Sequence, residues 1–91
     1  MRIEMTFDRQ KVERQGWTME AVQETVRKNF EARGLRCVTE GDALSVVGKG
    51  GEQDFSDLWA VTTAILRTDW FPALAAACVW HDDNGAQEDV L

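Results

Sequence analysis

Cysteine and long apolar runs are both scarce in this sequence, and each scarcity excludes a class of protein. The two cysteines, Cys37 and Cys78, are too few for the disulfide framework of a small secreted domain. No apolar run approaches the ~20 residues that span a bilayer, and residues 1–7 lack the apolar segment of a signal peptide. We therefore expect a cytoplasmic protein without membrane contact, in which both thiols are free and buried.

Basic residues become scarce after Arg36. Eight basic and six acidic residues occur up to that position, against two basic and ten acidic from Cys37 onward, which gives a net charge of −6. An acidic surface repels phosphate backbones and anionic lipid headgroups. Nucleic acid and membranes are therefore not expected as partners, and the excess charge serves mainly solubility.

The composition is that of one globular domain. With 91 residues, 44% of them apolar and 29% charged, the chain can bury a single modest core. No repeat or low-complexity tract divides it. We expect residues 1–91 to form one domain.

The first third of the chain has the patterns of a strand and a helix. Residues 2–7 alternate apolar and polar side chains, as in a half-buried strand. A polar connection follows, with one helical turn as an option and Gly16 as its end. Thr18 is then the expected N-cap of a helix that stops at Gly34. Its expected buried stripe is Met19, Val22, Val26 and Phe30.

The remainder predicts a hairpin, a second helix and a further strand. Residues 35–40 and 43–47 read as two strands joined by a tight turn. Asp54 is the expected N-cap of a helix that ends before Pro72, since proline disfavours a helical residue in front of it. A turn and a strand follow, with residues 77–82 extended. The expected apolar face of this helix is Phe55, Leu58, Trp59, Thr62, Ile65 and Leu66.

The order strand, helix, strand, strand, helix, strand predicts an α+β fold. The topology that fits is a ferredoxin-like βαββαβ sandwich, with an antiparallel sheet in the order 4-1-3-2 and two helices on one face. Residues 86–91 add either a short extra strand or a frayed tail. A different α+β strand order is the main alternative.

The stretch CVWHDDNG, residues 78–85, places a thiol, an imidazole and two carboxylates close together in sequence. In a strand, Cys78 and His81 point to opposite faces and cannot bind one metal ion. Too few further ligands remain for zinc, and the spacing of a calcium-binding EF-hand is absent. We interpret the stretch as a strand and a turn, and expect no metal ligand, cofactor or catalytic residue in the chain.

The stretch GKGGE, residues 48–52, precedes a predicted helix as phosphate-binding loops do. It lacks the Walker spacing, and Glu52, Asp54 and Asp57 would repel a phosphate group. We interpret it as a flexible connection.

Four tryptophans in a chain without tyrosine are a heavy aromatic load for so small a core. The predicted strands also carry apolar residues on both faces, so the sheet face away from the helices is expected to be partly apolar and to associate with another protein surface. A deeper core is the alternative. Trp80 is expected to face the helices, because of its bulk. The expected interface residues are Val79, His81, Val38 and Trp17.

Five stretches that together cover most of the chain carry a resemblance: RIEMTFDRQKVE, GLRCVTEGDAL, DFSDLWAV, RTDWF, and CVWHDD with EDVL. They resemble uncharacterised small acidic proteins carried on conjugative elements of gut Firmicutes. The resemblance implies a bacterial cytoplasm and an accessory role. It implies no activity and no role for any residue.

The sequence therefore predicts a small acidic interaction module without enzymatic activity, which acts through a homodimer or a protein partner. One alternative is a small-ligand or catalytic domain, with a pocket on the open sheet face around Cys37, His81 and Trp80. Another is an acidic mimic of nucleic acid. A perturbed titratable group in a cavity would favour the pocket, and one continuous acidic stripe would favour the mimic.

Overall fold

The computed structural model describes residues 1–91 as an α+β fold of five strands and four helices, which confirms the predicted class. None of the helices combines the length and apolarity needed to cross a membrane. In chain order the elements are β1 (Arg2–Phe7), α1 (Arg9–Arg14), α2 (Met19–Glu31), β2 (Arg36–Glu40), β3 (Ala43–Val47), α3 (Asp54–Leu66), α4 (Trp70–Leu74), β4 (Ala75–His81) and β5 (Gln87–Asp89).

The strands form one sheet in the order β2-β3-β1-β4-β5, and every neighbouring pair is antiparallel. β1 lies in the centre, where Ile3 is opposite Val46 on one side and Trp80 on the other. Cys37 on β2 and Cys78 on β4 are therefore three strand spacings apart, about 14 Å. Both cysteines are free.

The core lies between one face of the sheet and the helices. Alternate residues of the three inner strands point into it, as the period of two in their sequences predicts. The exception is the start of β4, where the register with β1 shifts between Thr6 and Phe7. The predicted stripe of α2 is buried in full, which confirms its orientation. The largest fully buried side chains are Phe7, Phe30, Phe71, Ile3, Met5, Leu44, Leu58, Leu74, Val12, Val22, Val26 and Val46.

Local signals place the ends of α2 and the hairpin turn as predicted. The hydroxyl of Thr18 accepts a hydrogen bond from the backbone N–H of Ala21 at 3.1 Å, so Thr18 is the N-cap of α2. Past the helix end, Gly34 has a φ of 77°, which only glycine adopts without strain. Gly41 has a φ of 59° in the two-residue turn between β2 and β3.

Two short helices correct the prediction of two helices in total. α1 is longer than the single helical turn considered for the polar connection, because the Asp8 carboxylate accepts from the N–H of Lys11 at 3.2 Å and Val12 is buried. α4 contains Pro72, which was expected to lie in a turn beyond the helices. Proline is compatible with the first turn of a helix, where backbone N–H groups have no partner within the helix.

The start of α3 also differs from the prediction. Gln53, not Asp54, is the N-cap, and it makes no side-chain capping bond. Asp54 is the first helical residue, and its carboxylate turns back to accept from the N–H groups of Lys49 at 3.0 Å and Gly50 at 2.7 Å. The predicted buried face of α3 is too wide, since Phe55 and Trp59 are both exposed.

Candidate functional site

The open face of the sheet is a mixed surface, not a continuous apolar patch. Val79 faces away from the helices as predicted, and it is half-buried between Glu4 of β1 and Asp89 of β5. His81 lies in the same way between Arg2 and Gln87. Charged or polar neighbours thus separate the apolar side chains of this face.

The structure does not bring the four expected interface residues together. Val79 and His81 lie on β4, whereas Val38 lies on β2, three strands away across the sheet. Trp17 lies between α1 and α2 and does not belong to the sheet. These residues therefore form three separate places on the surface, and their role in association stays a prediction.

Trp17 borders a small apolar cavity of about 110 Å³. The only polar side chain in its lining is Thr25, whose hydroxyl donates to the carbonyl of Ala21 at 2.8 Å. Ligand pockets usually measure roughly 300–1,000 Å³ and contain polar groups that orient the ligand. The cavity is therefore too small to hold a substrate, and its lining is too uniformly apolar to orient one. Its lining residues are Trp17, Val22, Thr25, Trp70 and Leu74.

A cluster of three aromatic rings lies where α3 crosses β4; we call Phe55, Trp59 and Trp80 the aromatic cluster. Phe55 and Trp59 are stacked, with ring centroids 6.4 Å apart and planes at 17°. Both rings meet Trp80 edge to face, at 5.6 Å and 5.5 Å. Trp80 is 6% exposed, whereas Phe55 is 53% and Trp59 is 42% exposed. The cluster thus has a buried base and two half-exposed rings.

The fold holds this cluster in one arrangement. Trp80 points from β4 towards the helices, and its indole N–H donates to Asp82 Oδ1 at 3.1 Å. Phe55 and Trp59 are four residues apart in α3, so both side chains lie on the same helical face. Sequence reasoning assigned both to the core. The signal that could have shown this is the width of the apolar face of α3. That face is wider than the surface that a small sheet can cover, so residues at its margin stay exposed.

Comparison with known proteins identifies no relative. No protein-family model, curated protein or solved structure matches this chain. The choice of a functional site therefore depends on the geometry and chemistry of its own surface.

The pocket considered around Cys37, His81 and Trp80 does not form. Cys37 and Trp80 face the helices from strands separated by β3 and β1, and His81 faces the other side of the sheet. No group of three or more histidine, cysteine or acidic side chains is arranged to hold a metal ion. These three residues therefore cannot act on one ligand.

Both thiols are kept protonated by their surroundings. Burial is the main reason that the pKa of Cys37 rises to about 11, with a further rise from the charge of Glu31 and a smaller opposing effect of Arg27. Burial likewise raises the pKa of Cys78 to about 12, with a contribution from Asp89. Since the thiolate is the nucleophile, neither cysteine is suited to covalent catalysis near neutral pH.

We expect iodoacetamide to alkylate neither thiol at an appreciable rate in the folded protein at pH 8, whereas both should react once urea unfolds it. Mass spectrometry over time measures the extent of alkylation directly.

The raised thiol pKa values also make stability depend on pH. Unfolded thiols ionise near the ordinary pKa of 9.0, so the folded state holds more protons than the unfolded state above that pH. Stability should therefore fall as the pH rises above about 9. Rapid alkylation of Cys37 in the folded protein would contradict the assignment of both thiols as protonated and unreactive.

The loop of residues 48–52 is closed to phosphate by the chain's own carboxylate. Asp54 already accepts from the N–H groups of Lys49 and Gly50, which are the groups that a phosphate would need. A Cβ atom at Gly48 would overlap the Asp54 carboxylate, so glycine allows this close approach. The N–H groups of Lys49 and Gly50 are thus already bonded within the chain. The Lys49 ammonium holds the loop further, because it donates to the Arg33 carbonyl at 3.3 Å.

The acidic turn after β4 is engaged in structural contacts. Asp82 accepts from Trp80, and Asp83 forms an ion pair with the N-terminal ammonium of Met1. The side chain of Asn84 accepts from the N–H of Ala86 at 3.0 Å. CVWHDDNG is therefore the end of a strand followed by a turn, as predicted.

Proposed function

We propose that this chain is an interaction module that binds other protein chains, and that the aromatic cluster is its contact surface for a protein partner. The observation that carries the proposal is the exposure of Phe55 and Trp59 on a fixed base, Trp80. No comparable arrangement of nucleophile, base or cofactor ligands competes with it. The proposal covers both a homodimer and a protein partner, as the sequence led us to expect.

Aromatic rings of this kind contribute strongly to protein interfaces. Full burial of a large apolar side chain is worth roughly 1.5–3 kcal/mol, so burial of the exposed halves of two rings contributes about half of that for each. Interface residues that dominate binding are enriched in tryptophan and lie in well-packed, dry centres. Because the rings already pack against Trp80, binding costs little side-chain entropy.

The surroundings of the cluster indicate the chemistry of the partner. Phe55 borders a shallow hollow that is also lined by Glu52, Asp54 and Asp83. Asp54 and Asp83 are already engaged by the chain itself, which leaves Glu52 as a free acidic group at the rim. A partner with an apolar pocket and a basic residue beside it fits this surface.

A photo-reactive residue placed at the exposed Ser56 position tests the proposal. In the cells that produce the protein, we expect one discrete cross-linked adduct with another protein. The double variant Phe55→Ser with Trp59→Ser should lose this adduct, because it removes the exposed rings. The matched control is Trp17→Ser, which removes a similarly exposed indole elsewhere and should keep the adduct. Circular dichroism establishes that each variant is folded.

Absence of any adduct, or an adduct of equal yield in the double variant, would overturn the aromatic cluster as a contact surface. An adduct of twice the chain mass in purified protein would identify the occupant as a second copy.

We infer a ferredoxin-like relationship, supported by the order β4-β1-β3-β2 among four of the strands; β5, α1 and α4 are additions to that pattern. A reducing cytoplasm suits two unpaired thiols. The resemblance to proteins of conjugative elements supports an accessory role there.

A further inference from the structure

One edge of the sheet lacks most of the features that normally protect an edge strand. β2 has five residues, contains no proline and pairs with β3 without a bulge. No other strand covers its outer side. Unpaired edges of this kind are templates for pairing with another strand, and proteins usually block them with prolines, bulges, very short strands or charged side chains. Of these devices β2 has only the charges of Arg36 and Glu40, which are opposite in sign.

The register of the hairpin determines which backbone groups point outward. A two-residue turn joins Glu40 to Ala43, with Gly41 at positive φ, so these two residues form a hydrogen-bonded pair. Such pairs alternate with non-hydrogen-bonded pairs along an antiparallel ladder. The N–H and C=O groups of Cys37 and Thr39 therefore point away from β3. Four backbone groups are thus available to a further strand.

The side chains of β2 are symmetric about Val38 in a way that suits pairing with itself. Arg36 and Glu40 lie two residues to either side and carry opposite charges, and all three side chains are exposed. An antiparallel copy with a two-fold axis at Val38 places each Arg36 opposite Glu40 of the second copy. The two Val38 side chains then meet, and Cys37 and Thr39 exchange backbone hydrogen bonds across the axis.

Charges on α2 repeat this complementarity one layer away. Arg27 reaches Thr39, with Nη2 3.5 Å from its hydroxyl, while the charge of Glu31 acts on Cys37. Arg27 also pairs with Glu24 of its own helix at 3.7 Å. Since the two-fold axis places Thr39 opposite Cys37 of the second copy, Arg27 would lie on the side of Glu31 of that copy. Charges of opposite sign would therefore lie on the same side of the contact in both layers.

The other edge of the sheet disfavours a second copy. β5 has only three residues, among them Glu88 and Asp89, and the preceding turn adds Asp82 and Asp83. Two copies of a chain with net charge −6 repel each other most where such acids concentrate. The β2 edge is the side on which two copies meet with balanced charge.

We propose that this chain forms a homodimer in which the β2 strands of two copies pair antiparallel about Val38 and join two sheets into one of ten strands. The inference rests on the proposed function in treating the chain as an interaction module. It deepens that function by naming a second copy as one partner and β2 as its site. A closed two-fold contact uses the β2 edge of both copies and leaves only the acidic β5 edges at the ends of the sheet, so the assembly stops at two chains.

Charge reversal tests the pairing. Sedimentation equilibrium of the wild-type protein should give twice the 10.3 kDa chain mass at micromolar concentrations. Arg36→Glu or Glu40→Arg alone places like charges opposite each other twice, and should weaken the dimer at least about tenfold. The double variant Arg36→Glu with Glu40→Arg restores both pairs and should restore the wild-type dissociation constant. Arg2→Glu on the central strand is the matched control and should change nothing.

A cross-link tests the position of the axis. Residues opposite each other in a non-hydrogen-bonded pair have Cα atoms about 4.5 Å apart, within disulfide range. Val38→Cys, in a Cys37→Ser background, should therefore form a covalent dimer on mild oxidation. Val47→Cys in the same background is the control: it is exposed on β3 but lies one strand from the axis, and should remain monomeric on denaturing gels.

The outcomes separate this inference from the proposed function. A wild-type monomer, a dimer insensitive to the charge reversals, or equal cross-linking of Val47→Cys would overturn the β2 dimer. In each case the cross-linked adduct at position 56, and its dependence on Phe55 and Trp59, would still show independently whether the aromatic cluster is a contact surface. If Val79→Asp abolished the dimer and the charge reversals had no effect on it, the contact would lie on the open sheet face instead.

Discussion

Replacement of Trp80 by aspartate should unfold this protein. The indole ring is 6% exposed and forms the base on which Phe55 and Trp59 pack. Removal of a buried tryptophan costs about 3–5 kcal/mol, and an unpaired buried carboxylate adds several more. The new charge would also lie near Asp82 and Glu88, which repel it. Domains of this size are stabilised by roughly 0.05–0.15 kcal/mol per residue, so the expected loss is comparable with the whole free energy of unfolding.

Far-UV circular dichroism with thermal melting measures this effect, and the neighbouring residue supplies the control. Val79→Asp introduces the same carboxylate on the open face, where no helix packs over it. It should cost only about 1 kcal/mol, mainly from repulsion by Glu4 and Asp89. A Trp80→Asp variant with the cooperative transition of the wild type would contradict the buried position of this ring.

The elements that the sequence predicted correctly are those specified by local chemistry. Thr18 and Gly34 mark the two ends of α2, because a capping hydroxyl and a left-handed residue each act on backbone groups a few positions away. The alternation in residues 2–7 fixes which side of β1 is buried. These features need no knowledge of the rest of the chain.

The elements that the sequence did not predict depend on contacts between distant segments. Asp54 has the chemistry of an N-cap, but the preceding glycines bring two backbone N–H groups within its reach, and it binds those instead. Phe55 and Trp59 have the spacing of buried residues, and only the position of α3 over the sheet shows that they lie at its margin. The same holds for Trp17, whose distance from Val38 and Val79 is a property of the tertiary structure.

The two proposed contacts are compatible in one assembly. β2 lies at one edge of the sheet, whereas the aromatic cluster lies on the side of β4 and β5. In the proposed dimer the two aromatic clusters therefore lie towards opposite ends of the ten-stranded sheet and stay free. A partner that itself has two binding sites would bind such a dimer with greater avidity than a single chain, provided that the spacing allows both contacts at once.

Truncation of Phe71 to alanine should destabilise the protein by about 3–5 kcal/mol, because it opens a cavity in the core. Phe71 lies in α4, where the sequence indicated the end of a helix and a turn. Phe71 is fully buried, and its ring meets those of Phe7 and Trp70 edge to face at 5.8 Å and 6.0 Å. Its backbone N–H donates to the Thr68 hydroxyl at 3.2 Å, which fixes the entry to the helix.

Urea denaturation followed by circular dichroism gives the free energy of unfolding, and the matched control is Trp70→Ala. Trp70 is larger but only half-buried, so its truncation should cost less than that of Phe71 despite the greater loss of atoms. If this segment were a turn on the surface, the order of the two effects would be reversed. A cost below about 1 kcal/mol for Phe71→Ala would show that this segment lies outside the core.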